Sequence, residues 1–463
     1  MKNKGIVVLL STVLASSLAL ASDKTMKTDA DITAPVFTKA KYKYVKKPIT
    51  TDDCNIYGYL RMHHIFSGED NGFDPETGST IGFGLGYGGE IFTPGLKIGA
   101  EIYGVMDSGL TDTDETSIAY GQFLNKVKKP SELDPGLAWG AHISYEKMGQ
   151  YKATIGRSQF TSPLTNIQIT HVPNLYEFAR LDAKVMKGKA SLAYITKMAY
   201  GSRAAADFGL IGEKTGTAGM VVSPFKNPKK YINRGLYKSI DETVGTNDSS
   251  GILVAGYEKR IRKFNFKVWD FLIDDIANNL YVEGTYKFPL GGKGKVFKLS
   301  GQAWNQTISN DAFKPKYGGL LLGVEALLKW KTVVGKLAYT AKDEGGLLNA
   351  WGANPGYTSS IFSRNEYRGD VNAYKATLVY MPMKGLKMMA SYTDYGKSSM
   401  KLGRKGKTPL APQTDATERD FAIIYKPRND IMIKLFNADR VSEYSVGDKK
   451  SQNHTRLIMN YAF

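Results

Sequence analysis

Read as extended strands whose side chains alternate between two faces, the chain repeatedly places a lysine or arginine opposite its apolar residues. The basic residues that fall on the inner face are Arg61, Lys97, Arg180, Lys184, Lys197, Arg260, Lys267, Lys287, Lys298, Lys336, Lys342, Lys375, Lys387, Lys434, Arg440 and Arg456. The inner acids are fewer: Glu101, Glu146, Asp182, Glu258, Glu283, Glu325 and Asp420. Fixed positive charge around a bore does no covalent chemistry; it attracts anions and lowers their barrier to passage. Lysines in short turns, such as Lys187, Lys293 and Lys331, read differently, as solvated or near phospholipid headgroups.

Covalent chemistry has little to work with. Five histidines are scattered, and the adjacent His63 and His64 point to opposite strand faces, so no metal site is expected. The lone cysteine, Cys54, cannot form an intramolecular disulfide. There is no zinc spacing, P-loop, GxSxG elbow or solenoid repeat, and no serine with histidine or pair of acids on one face. The reading is a non-enzyme without cofactors.

The elements that would carry the basic track follow from the rest of the chain. Lys2 and Lys4 precede an apolar run from Ile6 to Leu14, and Ala19-Leu20-Ala21 supplies a small-x-small cleavage site. Residues 1–21 therefore read as a secretory signal peptide cleaved near Ala21. Beyond it there is no stretch of about 20 apolar residues, so a membrane protein here must cross with strands. The formal charge of +18 falls to +16 when Lys2 and Lys4 leave with the leader; secretion argues against a nucleic-acid partner. Plentiful Tyr and Gly suit a barrel with aromatic girdles and many turns.

Residues 22–55 read as a polar periplasmic tail, and 56–463 as a transmembrane antiparallel β-barrel. Eighteen strands are predicted, over 56–66, 80–91, 96–106, 137–148, 151–160, 175–185, 189–200, 252–261, 264–273, 278–288, 295–306, 318–329, 332–342, 371–381, 385–395, 417–426, 430–440 and 452–463. Sixteen is the alternative count if 80–91 and 264–273 are not strands. Every connection from an even to an odd strand is short. Those from odd to even are long, except 274–277, as expected for short periplasmic turns and long external loops. In the second strand Gly82, Gly84, Gly86 and Gly88 share one face, which would clear lumen space for an inward-folded loop. In the last strand Thr455, Leu457, Met459, Tyr461 and Phe463 face one way and His454, Arg456, Asn460 and Ala462 the other. Its aromatic end predicts recognition of Phe463 by the barrel-assembly machinery, and pairing with the first strand closes the ring.

The segment ATIGRSQFTSPLTNIQITHVPNLYEFARLD, Ala153 to Asp182, resembles the substrate-specific porin family of the OprD type. The matching positions are Gly156, Arg157, Ser162, Pro163, Pro173, Asn174 and Phe178, and the closing RLIMNYAF matches at Arg456 and Tyr461. The resemblance implies an eighteen-stranded barrel passing small, often carboxylate-bearing solutes along a basic track past a constriction. It makes 161–174 the constriction loop, with Ser162, Pro163, Asn166, His171 and Pro173, and puts Arg157 at its base. Strict alternation from Tyr151 faces Arg157 outward, so the family reading requires a bulge or twist near Gly156. Where the family usually has Asp and Arg between the loop prolines, this chain has Asn166 and His171.

The expected function is passive diffusion of small hydrophilic, anionic or carboxylate-bearing solutes. The pore-lining track is Arg61, Arg157, Arg180, Lys184, Arg260, Lys375, Lys434 and Arg456. Outer-membrane lipid and lipopolysaccharide are the expected surroundings, and a homotrimer stays open. The alternatives are an adhesin or receptor acting through the long loop 201–251 and, less favoured, an outer-membrane barrel enzyme; with no folded plug before the first strand, an energised transporter is disfavoured.

Overall fold

The computed structural model describes residues 54–67, 76–111, 137–147, 149–165, 171–201, 235–244, 249–311, 313–314, 317–349, 353, 355–361, 363, 365, 368–398, 413–445 and 449–463. The signal peptide, nearly all of the 22–55 tail, Asn166 and most of loop 201–251 lie outside the described residues.

Alternation of apolar and polar or small residues gives long strands, in order β1 (Cys54–Ser67), β2 (Glu76–Glu90), β3 (Leu96–Asp107), β4 (Leu137–Lys147), β5 (Tyr151–Ser158), β6 (Leu175–Val185) and β7 (Gly188–Ala199). A two-residue strand, β8 (Lys238–Ser239), and a short helix, α1 (Ile240–Val244), follow. The ring continues with β9 (Ile252–Ile261), β10 (Phe264–Ile273), β11 (Ala277–Pro289), β12 (Lys295–Ile308), β13 (Gly319–Trp330) and β14 (Val333–Lys342). It ends with β15 (Val371–Tyr380), β16 (Leu386–Asp394), β17 (Gln413–Tyr425), β18 (Ile431–Tyr444) and β19 (Lys450–Ala462). All neighbours pair antiparallel in one sheet, and β7 pairs directly with β9. With β8 only a flap on β7, the barrel has eighteen staves. The two strands whose existence was least secure in the sequence are full members: β2 runs for 15 residues and β10 for 10.

Closure is made by β1 and β19, in register from Tyr59↔Ala462 to Ser67↔His454. Gly58 and Phe463 exchange both backbone hydrogen bonds at 3.0 Å. A Cβ at Gly58 would meet the Phe463 ring, so glycine lets the aromatic lie against the seam. A closed ring leaves no unpaired sheet edge, the condition for strands in a lipid bilayer.

The outer face is apolar and exposed: Leu60, Leu85, Ile155, Leu192, Leu337 and Leu378 are all at least 45 % exposed. Apolar exposure on that scale all round a wall fits lipid rather than water. The largest fully buried side chains, including Trp304, Arg368, Arg456, Tyr176 and Tyr281, lie instead among the inward-facing positions and the loops that pack on them.

Candidate functional site

After β5 the chain leaves the wall at Gln159 and rejoins it at Leu175. Local hydrogen bonds shape the descending limb: Ser162 Oγ lies 2.8 Å from Thr165 Oγ1, accepts the Leu164 N–H at 3.2 Å, and Thr165 Oγ1 donates to Phe160 O at 2.6 Å. Pro163 sits within this turn, half-buried. Phe160 packs edge-on against Phe178 at 5.2 Å. The Arg180 guanidinium covers Phe160 at 4.7 Å and donates to Thr161 O at 3.2 Å.

The returning limb is pinned by His171. Its ring stacks on His63 at 3.9 Å between centroids, its Nε2 is 2.8 Å from Thr80 Oγ1, and its carbonyl accepts from Tyr59 OH at 2.5 Å. A Cβ at Gly82 would collide with the His171 ring, and one at Gly84 with the rings of Tyr59 and Tyr103. Gly82 is thus where the loop rests on β2, while Gly84 and Gly86 clear space for the wall's own Tyr57, Tyr59 and Tyr103 rings, of which Tyr59 reaches the loop at His171 O. Burial, with Arg61 and Arg456 next, holds the His171 imidazole well below its ordinary value, so it is neutral at neutral pH. Pro173 follows, and Asn174 Oδ1 accepts the Gly201 N–H at 3.0 Å.

A second loop enters from the far wall, and sequence reasoning missed it. The described residues of 343–370, expected only as a long external loop, pack onto inward-facing side chains of β12, β14, β15 and β16. Leu348 exchanges hydrogen bonds with the Gln306 side chain at 2.7 and 3.0 Å. The Gln302 amide, turned so that its nitrogen donates to Pro355 O (2.8 Å) and its oxygen accepts from Tyr357 N (3.0 Å), holds the next stretch. Thr358 pairs with Thr340 at 2.5 Å, and Asn365 donates to both hydroxyls. Ser360 lies 2.7 Å from Thr393, and Tyr395 OH donates to Thr358 O and Ser363 O. Lys375 donates to Ser359 O at 2.8 Å and Ser360 Oγ at 3.0 Å, with Asp420 at 3.9 Å.

Between the arcs covered by these loops lies the closure seam. Arg61, Lys434 and Arg456 face inward on three adjacent strands: Arg61 is opposite Asn460, to which its Nε donates at 3.0 Å, Lys434 opposite Ile458, and Arg456 opposite Phe436. Each is under 10 % exposed. Inward positions on β1, β18 and β19 carry no acid among the described residues, whereas several inward cations elsewhere have an acid partner on their own or the next strand. Lys267 meets Glu283 at 2.7 Å, Lys336 meets Glu325 at 3.2 Å, and Arg180 meets Asp182 at 3.0 Å. The seam is therefore one stretch of the wall where inward cations stand on three adjacent strands that carry no inward acid of their own among the described residues.

Three members of the expected track lie elsewhere. Arg157 pairs with Ala141 and Glu177, in line with Ile143 and Ile155 on the outer face. Its guanidinium is 2.7 Å from Glu177 and 4.7 Å from the Trp139 ring centre. The backbone stays in regular register through Gly156, so alternation decides its face; the bulge falls instead on β7, where the register shifts between Glu177 and Phe178. That shift carries Lys197 to Glu177 on the outer face, 3.6 Å away, and corrects its inward assignment. Lys184 and Arg260 keep the inward parity but stand exposed beside short turns, Arg260 Nε donating to Arg262 O at 3.2 Å. They belong to the mouth rather than the narrow part.

A ring of eighteen staves with an apolar exterior, inward loops and a charged interior defines a closed membrane-spanning β-barrel. No family model matches the chain, and no curated protein matches it. Solved structures do: OccK9 (OpdG) of Pseudomonas aeruginosa superposes with a TM-score of 0.66 at 14 % identity, over 89 % of this chain and 98 % of that one. The P. aeruginosa outer membrane protein OpdK gives 0.63 at 12 % identity over 88 % and 98 %. OccAB2 of Acinetobacter baumannii gives 0.64 at 14 % identity over 89 % and 98 %. The chain thus has the fold of the Occ/OprD outer-membrane channels, the architecture implied by the resemblance in its sequence.

Proposed function

We propose that the protein is a passive channel of the bacterial outer membrane for small hydrophilic anions, carboxylate-bearing solutes above all. The reading includes removal of the leader near Ala21 and a periplasmic 22–55 tail. The observation that carries it is the run of Arg61, Lys434 and Arg456 facing inward on three adjacent strands, set beside a loop docked into the bore. A unit charge acts on another at about 8 Å with about 2 kcal/mol when the effective dielectric is ~20. Buried cations in a wall therefore stabilise a passing carboxylate without touching it. Matched pairs such as Lys336 with Glu325 largely cancel at that distance. Solute polarity is set by the seam and solute size by the two loops.

Reversal potentials in a salt gradient across a planar bilayer test this directly. The wild-type channel passes chloride and small carboxylates in preference to potassium, and Arg61→Gln with Arg456→Gln brings that preference towards neutrality. An unchanged reversal potential in the double variant removes the seam from the mechanism.

A further inference from the structure

Three consecutive short turns at one end of the barrel form a patch whose chemistry the channel reading does not use. The β9–β10, β11–β12 and β13–β14 connections read KRIRKF, KFPLGGKGKV and KWKT over residues 259–264, 287–296 and 329–332, with no acid in any of them. They are one surface: Lys287 N donates to Lys263 O at 2.9 Å, and Lys331 N to Gly294 O at 3.0 Å. Arg262, Lys263, Lys293 and Lys331 are exposed. Elsewhere on the same rim some charges are paired, as Lys97 is with Glu146 at 3.6 Å and Arg428 with Asp430, and the lysines Lys147, Lys187, Lys384 and Lys426, unpaired among the described residues, are spread over separate turns.

Immediately towards the membrane, the outer wall beneath the patch is aromatic. Tyr286 and Phe288 contact at 4.5 Å, Phe288 and Phe297 at 5.5 Å, and Lys295 Nζ stands 3.8 Å over the centre of the Trp330 ring. Phe288, Leu290 and Trp330 are 40, 44 and 49 % exposed. Arg262 and Lys331 also hold positive φ angles, 52° and 54°, at turn positions that glycine or asparagine fill more easily. Charge is present there against the local backbone preference.

We infer that this arc is a binding surface for acidic phospholipid of the inner leaflet, with phosphate on Arg262, Lys263, Lys293 and Lys331 and acyl chains along the Phe288, Leu290 and Trp330 wall. Basic residues at a membrane surface attract anionic lipid, and aromatic and lysine side chains share the interfacial depth. An acidic soluble partner would satisfy the cations and leave the apolar wall unmatched; a lipid satisfies both. The inference rests on the barrel's crossing a membrane with its short turns on the periplasmic side, and not on which solute it passes.

The test is native mass spectrometry of the full chain released from mixed micelles holding equal phosphatidylglycerol and phosphatidylethanolamine. Three proteins are compared: wild type; a patch variant with Arg262→Gln, Lys263→Gln, Lys293→Gln and Lys331→Gln; and a matched control with Lys147→Gln, Lys187→Gln, Lys384→Gln and Lys426→Gln. Heat-modifiable gel mobility establishes that all three are folded barrels. The wild type and the control retain phosphatidylglycerol roughly tenfold over phosphatidylethanolamine, and the patch variant falls to near parity. Absence of enrichment in wild type, or an equal loss in control and patch variants, overturns the site. So does poly-glutamate binding to the patch as tightly as lipid does with no effect of Trp330→Gln, which makes the partner an acidic macromolecule.

Discussion

Two loops enter the same bore and are held there by opposite means. The 159–174 loop is fastened by rings: Phe160 on Phe178, His171 on His63, and a tyrosine hydroxyl on the His171 carbonyl. It rests on β2 at Gly82. The 343–370 loop is fastened by hydroxyls and amides: Thr340, Thr358, Ser360, Thr393, Asn365 and Gln302. A ring-packed loop has few fastenings, one of which titrates. A hydroxyl-latched loop has many small ones and no histidine. The first is suited to movement as a unit, the second to staying in place.

The largest expected effect comes from removing the second loop outright. Replacing residues 346–366 by a short Gly-Ser link takes out these hydroxyl and amide latches. Single-channel conductance should then rise at least about twofold, because pore conductance follows the bore left by inward loops. Unchanged conductance would mean that the loop does not occupy the conduction path, and the comparison would lose one of its terms.

Next in size is the contact at Gly82. Gly82→Val places branched carbon where the His171 ring lies, and overpacking of this kind costs about 1–3 kcal/mol. The valine itself suits a strand, so the barrel should assemble normally while the first loop lifts. Stepwise conductance fluctuations, rare in wild type, should become frequent. A quiet channel with wild-type conductance would show that His171 is not the main fastening.

Acid provides a milder way to separate the loops. Docked, His171 is held below its ordinary value by burial and by Arg61 and Arg456; undocked, it returns to about 6.5. The undocked state therefore binds the proton more readily. Above about pH 7 the docking equilibrium is flat, and as pH falls below about 6.5 it shifts towards release, up to tenfold per pH unit, until the docked value is reached. Fluctuation rates recorded from pH 7.5 down to pH 5 should climb in wild type and stay level in His171→Gln, whose amide can still reach Thr80. Because His63 is stacked on the same ring, His63→Phe should reduce the slope as well. The 343–370 loop carries no histidine, so excising it should leave the slope intact.

How much of this was legible in the sequence follows the same division. The staves were legible because each has a strict two-residue period with one lipid-facing side, and the closing strand because its aromatic end fell on that side. Gly82 to Gly88 pointed to an inward loop, and Gly82 does meet it at His171, whereas the other three glycines mainly give room to the wall's own tyrosine rings. The 343–370 loop left no such mark. Its partners Thr340, Gln302, Gln306 and Thr393 are ordinary polar inward residues, equally at home facing water, and pairing is decided by three-dimensional proximity. Arg157 shows the reverse: alternation alone gave the face it occupies, while the motif that suggested a pore role described chain direction and not side-chain direction. Lys197 was lost to a single bulge, because one extra residue turns every later side chain over.

The smallest effect tests whether the second loop's latches act singly or together. Thr340, Thr358 and Asn365 form a buried triangle in which the Asn365 amide donates to both hydroxyls and the hydroxyls lie 2.5 Å apart. A hydrogen bond contributes a net ~0.5–1.5 kcal/mol, but a buried donor left without its acceptor costs about 1–3 kcal/mol. Thr358→Val keeps the shape and leaves Asn365 with one acceptor, so proteolytic cutting of the loop in the folded barrel should rise several-fold. Adding Thr340→Val takes away the other, while Thr358→Val with Asn365→Leu removes the stranded donor itself. If the triangle is a single latch, the second double variant should be cut more slowly than the first, despite having lost the larger side chain. If the two are cut equally fast, the polar groups act independently, and the hydroxyl-latched loop holds by the number of its contacts rather than by their coupling.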